Sequence, residues 1–241
     1  MRLILFYIFI LIQTLIIGQN KNLNLGYKDS GLILGNSKCS NGLRLNIWDK
    51  NVDTINGFNI SAFSATRKSN GLSFGFIANT DSINNGIKIG GFVSTAEKVS
   101  GISVSGLING IDGKINGLAV SGLYSYADTM NGIFISFFGS LNFTRDPINI
   151  INGISVGMFV HAEKFNGLSI GFMNSVDTLN GINFGFVHNQ SKKVNGIQIG
   201  MSNETDNLHG VQFGLWNIAR NNRFLRQTPF INFNFRKKAS R

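Results

Sequence analysis

Hydrophobic and polar positions along this chain recur on a fixed frame. The segment LNGINFGF, Leu179 to Phe186, has close copies in SNGLSFGF, NNGIKIGG and FNGLSIGF. Anchored on a glycine preceded by Asn in ten of twelve units (Ser100 and His209 are the exceptions), the units begin at Gly42, Gly57, Gly71, Gly86, Gly101, Gly117, Gly132, Gly153, Gly167, Gly181, Gly196 and Gly210. Their spacing is 14 to 16 residues, with one step of 21 between Gly132 and Gly153. An earlier, divergent unit is readable at Ser30–Gly35.

The columns hold from unit to unit. The residue after glycine is always Leu, Ile, Phe or Val, and the residue three after it is always apolar. Between them sits mostly Ser, Asn, Gln, Lys or Arg. Four after glycine the residue is Gly or Ser in eleven of twelve units, Asn46 being the exception. Apolar-polar-apolar-small has a period of two, which predicts a strand opening at each Asn-Gly turn. A further apolar point lies two before the next glycine (Ile55, Val99, Leu179, Val194). A polar stretch separates the two, with Asp recurring about four before the glycine (Asp53, Asp81, Asp128, Asp177, Asp206) and Lys three before it.

A uniform period of this length predicts an all-β repeat protein, with a β-solenoid of about twelve 14–15-residue coils as the favoured architecture. Stacked coils would align asparagines into an amide ladder and set opposite charges on neighbouring turns, with the apolar columns turned inward. An antiparallel meander or a twelve-stranded outer-membrane-type β-barrel fits the same period, with the apolar columns facing lipid. The organisation reads as a signal peptide over 1–19, a lead-in or capping segment over 20–40, the repeat array over 41–219 with an insertion at 139–151, and a basic C-terminal cap or tail over 220–241.

Composition changes this picture at the two ends. Arg2 followed by the apolar run Leu3–Ile17 has the order of a secretory leader and is short for a membrane span. It implies export to the cell surface, the outer membrane or the medium. The formal charge of +10 is concentrated late: seven basic residues lie in 220–241, and no acid follows Asp206. Such a tail suits anionic partners, a glycan or lipid headgroups, and no aromatic-interleaved motif points to nucleic acid. The single cysteine, Cys39, excludes an intrachain disulfide.

Candidate chemistry is sparse. His161 and His188 lie two coils apart, too far to share a metal, and no metal-ligand spacing occurs. Glu163 and Asp177 are the one carboxylate pair that a glycosidase reading would use, but Lys164 beside them favours a salt-bridged turn. No catalytic, cofactor-binding or metal site is expected. The irregularity at 139–151 is the exception, because a loop that breaks a regular scaffold is a place for binding; Phe143, Arg145 and Asp146 are its candidate residues.

The units NGLSIGFMNSVDTL, NGINFGFVHNQSKKV, NGIQIGMSNETDNL and HGVQFGLWN, with the ending from Pro229 to Asn232, resemble bacterial surface-repeat proteins built from tandem Asn-Gly/apolar/Gly β-repeats. Units before Gly153 mostly lack the asparagine that follows the apolar pair in that pattern. The resemblance implies export and a surface location, and carries no catalytic residue. The expected function is that of an exported surface protein with a structural or adhesive role toward an unidentified surface ligand or glycan. A channel-like barrel is the alternative, and an extracellular carbohydrate-active enzyme a remote one.

Overall fold

The computed structural model describes residues 22–140 and 149–235. The leader read at 1–19 and the last basic residues, 236–241, lie outside the described residues. The chain divides into two compact units between Asp112 and Gly113. Both are built from strands, with no helix among the described residues.

In the first unit, β1 (Asn22–Tyr27) lies antiparallel on β2 (Ser30–Gly35). The strands that follow pair in parallel: β2 on β3 (Cys39–Leu45), β3 on β4 (Val52–Gly90), and β4 on β5 (Val93–Ser105). Gly31 pairs with Gly42, Gly42 with Gly57, and Gly86 with Gly101. The divergent unit at Ser30–Gly35 is therefore a coil in register with the rest. The division between units falls inside β6 (Ile108–Ser121).

The second unit repeats the scheme. Strand β7 (Tyr124–Ser136) pairs with β9 (Ile150–Val156), and β9 pairs with β10 (Phe159–Ile199). The two-residue strand β8 (Gly139–Ser140) pairs with β7 and β10. Strand β10 pairs in parallel with β11 (Ser202–Ala219), and β12 (Gln227–Asn234) closes that end antiparallel to β11. Strands as long as β4 and β10 each wind through several coils.

This is a β-solenoid. The meander and barrel alternatives fail, because they need antiparallel neighbours and the coils here stack parallel, residue on equivalent residue.

The anchor glycine explains its own column. At Gly181 φ is +142°, and a Cβ would lie 2.1 Å from the carbonyl oxygen of Gly167, one coil back. Glycine alone supplies that backbone and that approach. The preceding asparagine keeps a negative φ, so the pair makes a corner in a continuous strand and not a hairpin turn. Asparagine instead forms the expected ladder. Asn56 Nδ2 donates to Asn41 Oδ1 at 2.7 Å, and Asn70 to Asn56 at 2.7 Å. In the second unit Asn180 donates to Asn166, and Asn195 to Asn180, each at 2.7 Å.

The expected orientation of the apolar columns is overturned. Positions one and three after glycine are nowhere buried, and the polar position between them is (Arg44, Asn59, Ser73, Lys88, Asn183, Gln198). Phe58 is 56% exposed while its neighbour Asn59 is 0%. The coil is narrow, and its inward residues meet partners from the opposite wall. Ser103 Oγ donates to Asn109 Oδ1 at 2.9 Å, and Gln198 Nε2 to Ser191 Oγ at 3.2 Å. The apolar core is the other column, two before glycine: Ile55, Val99, Ile115, Phe165, Leu179 and Val194 are all buried.

A second asparagine column runs inside. Asn174, Asn189, Asn203 and Asn217 are buried and linked in series at 3.1, 2.7 and 2.8 Å. Asn189 Nδ2 also donates to Ile199 O at 2.8 Å, and Asn203 Nδ2 to Phe213 O at 2.8 Å. Each side chain thus satisfies a carbonyl of the next coil at the corner that follows the outward apolar pair. In earlier units Asn79, Ser94, Asn109 and Ser125 take this inward place eight residues after the anchor glycine, as Asn189 does, while Asn174, Asn203 and Asn217 stand seven after it. Asn189→Ala leaves Ile199 O and two neighbouring amides without this partner, and is expected to destabilise by about 3 kcal/mol. Asn180→Ala, in the outer ladder, is expected to cost under about 1 kcal/mol. Urea unfolding midpoints of the two variants check the contrast.

Candidate binding surface

The inversion of the pleat creates the molecule's most distinctive surface. In each unit, coil after coil presents an outward apolar pair with no charged residue in either column. In the second unit these pairs include Ile133 and Ile135, Ile182 and Phe184, and Val211 and Phe213. Ile133 and Ile135 are each 43% exposed. Past the next corner the apolar character continues, with Phe172 and Phe186 stacked on successive coils at 5.7 Å between ring centroids. Exposed apolar ground repeated on this scale marks an interaction surface.

The opposite character lies along the turn column four before each glycine. Arg67 pairs with Asp53 at 3.2 Å, Lys192 with Asp177 at 2.7 Å, and Arg220 with Asp206 at 2.8 Å, each one coil apart. At these three steps opposite charges stack on neighbouring coils, which stacking favours, whereas Glu163 and Asp177 stand in the same column as like-charged neighbours. The hydrogen bond that Lys192 donates to Asp177 raises the Lys192 pKa above the usual lysine value, with the attraction of Asp177 next in effect. Asp177 takes Lys192 of the next coil as its partner. These pairs are exposed and contribute little to stability.

Asp81 departs from its column. It stands five before Gly86 and not four, and the structure buries it. Lys88 Nζ lies 3.2 Å from Asp81 Oδ2, with both side chains fully enclosed. Thr66 Oγ1 donates to Asp81, Asn84 Nδ2 donates to it at 3.1 Å, and Lys88 donates to Thr95 O. A second enclosed pair joins Arg44 to Asp49 at 2.8 Å, with Asn59 and Asn36 accepting from the guanidinium at 3.0 Å. Burial lowers the pKa of both Arg44 and Lys88, opposed by the adjacent aspartate. Reading Arg44 and Lys88 as outward strand residues missed these networks. Both are closed off from solvent and bind the coils to one another.

The histidines do not converge. His161 follows the inward position of its coil and His188 precedes the equivalent one, two coils on. Among the described residues no group of three metal-ligating side chains forms. The candidate loop residues Phe143, Arg145 and Asp146 lie outside the described residues.

Comparison with family models, curated proteins and solved structures finds no match for the chain.

Proposed function

We propose that the protein is an exported surface repeat protein with a structural or adhesive role, and that it binds through the outward apolar columns of its coils. The observation that carries this reading is the inverted pleat: the apolar side chains one and three after each anchor glycine stay at the surface, flanking a buried residue that is polar in all coils but those of Ala119 and Phe134. A scaffold with no binding duty would leave polar residues there, since apolar ground of this kind invites association. The apolar leader supports export, and the resemblance to bacterial surface-repeat proteins supports a surface location. No catalytic step is part of the proposal.

The test exports the full chain from a Gram-negative host and compares it with a triple variant, Ile182→Thr, Phe184→Thr and Phe213→Thr. Threonine keeps the β-branched fit to a strand while removing apolar area. The variant is expected to retain its β circular-dichroism spectrum, and cells displaying it to lose adhesion to hexadecane droplets several-fold. Unchanged adhesion by a folded variant, or a chain retained in the cytoplasm, would sink the reading.

A further inference from the structure

The C-terminal cap combines two features. The first is apolar. The loop leading into β12 holds Phe224 85% exposed and Leu225 74% exposed, and β12 adds the exposed Phe230 and Phe233. Phe233 pairs with Val211 and Ile231 with Phe213, so β12 extends the outward apolar columns by one strand. The second feature is charge. Arg223 and Arg226 flank the Phe224–Leu225 tip and are exposed. No acid follows Asp206 in the sequence; the further basic residues Arg236, Lys237, Lys238 and Arg241 lie outside the described residues and are no part of this site.

The tip is held in place. Asn222 Nδ2 donates to Asn232 Oδ1 at 2.8 Å, Asn234 Nδ2 donates to Asn222 Oδ1 at 2.7 Å, and Arg226 Nε donates to Asn222 O at 3.1 Å. Leu225 has φ +53° and Phe230 φ +66°, a backbone region that bulky residues occupy only when their surroundings impose it. Between the tip and β12 lies a recess of about 530 Å³ lined by Arg223, Phe224, Leu225 and Phe233 among others.

We propose that this cap docks the protein on an anionic lipid surface, with Phe224 and Leu225 entering the acyl boundary and the arginines meeting the headgroups. Charge decides between the occupants. A second copy would bring the same uncompensated basic cluster to the contact, so like charges would meet. A neutral apolar partner would leave the arginines without counter-charge. An anionic bilayer satisfies both features, since apolar insertion and basic attraction act together at its interface. The tip residues Phe224 and Leu225 lie outside the columns tested above, although β12 continues those columns, so varying the tip and varying the columns test the two readings separately.

The test is co-sedimentation of the purified full chain with vesicles of phosphatidylcholine alone and of phosphatidylcholine mixed with phosphatidylglycerol. Binding is expected to favour the anionic vesicles and to weaken with added salt. Arg223→Gln with Arg226→Gln should lower the partition coefficient on anionic vesicles on the order of tenfold. Phe224→Ser with Leu225→Ser should lower it by a similar factor, with β circular dichroism unchanged. Ile182→Thr with Phe184→Thr, which changes the columns away from β12, should bind these vesicles as the parent does. The proposal is overturned by equal binding to both compositions, by anionic-vesicle binding that folded cap variants retain, or by no vesicle binding. In the last case, retardation of duplex DNA would assign the cap to nucleic acid, and a dimer in sedimentation velocity would assign it to a second copy.

Discussion

Gly181→Val is expected to destabilise the second unit by more than about 3 kcal/mol, one of the largest effects any single substitution in the chain would have. Two costs coincide. At φ +142° a β-branched residue meets its own backbone, and the added Cβ meets the Gly167 carbonyl at 2.1 Å. That carbonyl belongs to the neighbouring coil's backbone, so it cannot turn aside as a flexible side chain would. Relief requires the coils to separate, which breaks the ladder hydrogen bonds around Asn180. Gly181→Ala carries the same clash with less bulk and should fall between the parent and the valine variant. Urea denaturation of the three proteins checks the order; a valine variant within about 1 kcal/mol of the parent would mean the corner is softer than its geometry.

Lys88→Met is the second large effect, at about 3–5 kcal/mol, because it strips the counter-charge from an enclosed carboxylate. Thr66 and Asn84 still donate to Asp81, but hydrogen bonds alone do not offset a buried anion. Asp81→Leu made together with Lys88→Met removes both charges and should recover most of the loss. If the double variant is as unstable as the single, packing and not charge sets the cost. The pair also carries a pH signature. Burial holds the Lys88 ammonium below its ordinary value of 10.5. Between that lowered value and 10.5 the unfolded chain binds the extra proton, so this residue makes stability rise with pH across the window. The parent-minus-variant difference in unfolding free energy isolates that rise, because Lys88→Met lacks it.

Much of the architecture is legible in the sequence, and the reasons are local. A glycine at positive φ leaves an unmistakable column, and a spacing of 14 to 16 residues leaves room for one coil and no helix. The outer asparagine ladder follows once equivalent residues stack. Which way the strand faces does not follow. Alternation separates two faces without saying which is inside, and Asn59 and Phe58 would satisfy it either way. The answer lies across the coil, where Asn59 Nδ2 meets Ser64 Oγ at 2.9 Å and Asp49 at 3.0 Å, partners that no local pattern names.

Asp81 shows how small the missing signal is. Grouping it with Asp53 and Asp177 tolerates an offset of one residue, and in a strand one residue changes the face. A strict count from Gly86 would have set it apart from its column and paired it with Lys88, which also stands inward. The proposed binding features were unequally visible. The basic tail is plain in the composition, but the exposure of Phe224 and Leu225 depends on how Asn222 ties the loop to β12. Asp177, which the sequence sets beside Glu163 and Lys164, is joined instead to Lys192 of the next coil, a partner that the turn pattern did not single out.

The junction between Asn131 and Asn152 has a different kind of consequence. Asn152 Nδ2 donates to Asn131 Oδ1 at 2.6 Å although 21 residues separate them, and Gly132 pairs with Gly153 as though the units were contiguous. The lattice counts coils, not residues. Lengthening the sequence between Ser140 and Asn149 need not alter this register, and doubling its length would add only about 0.6 kcal/mol of closure entropy. At this one seam the array behaves as a fixed frame with an open port, a place where new sequence can be tried and discarded while the frame around it keeps its register.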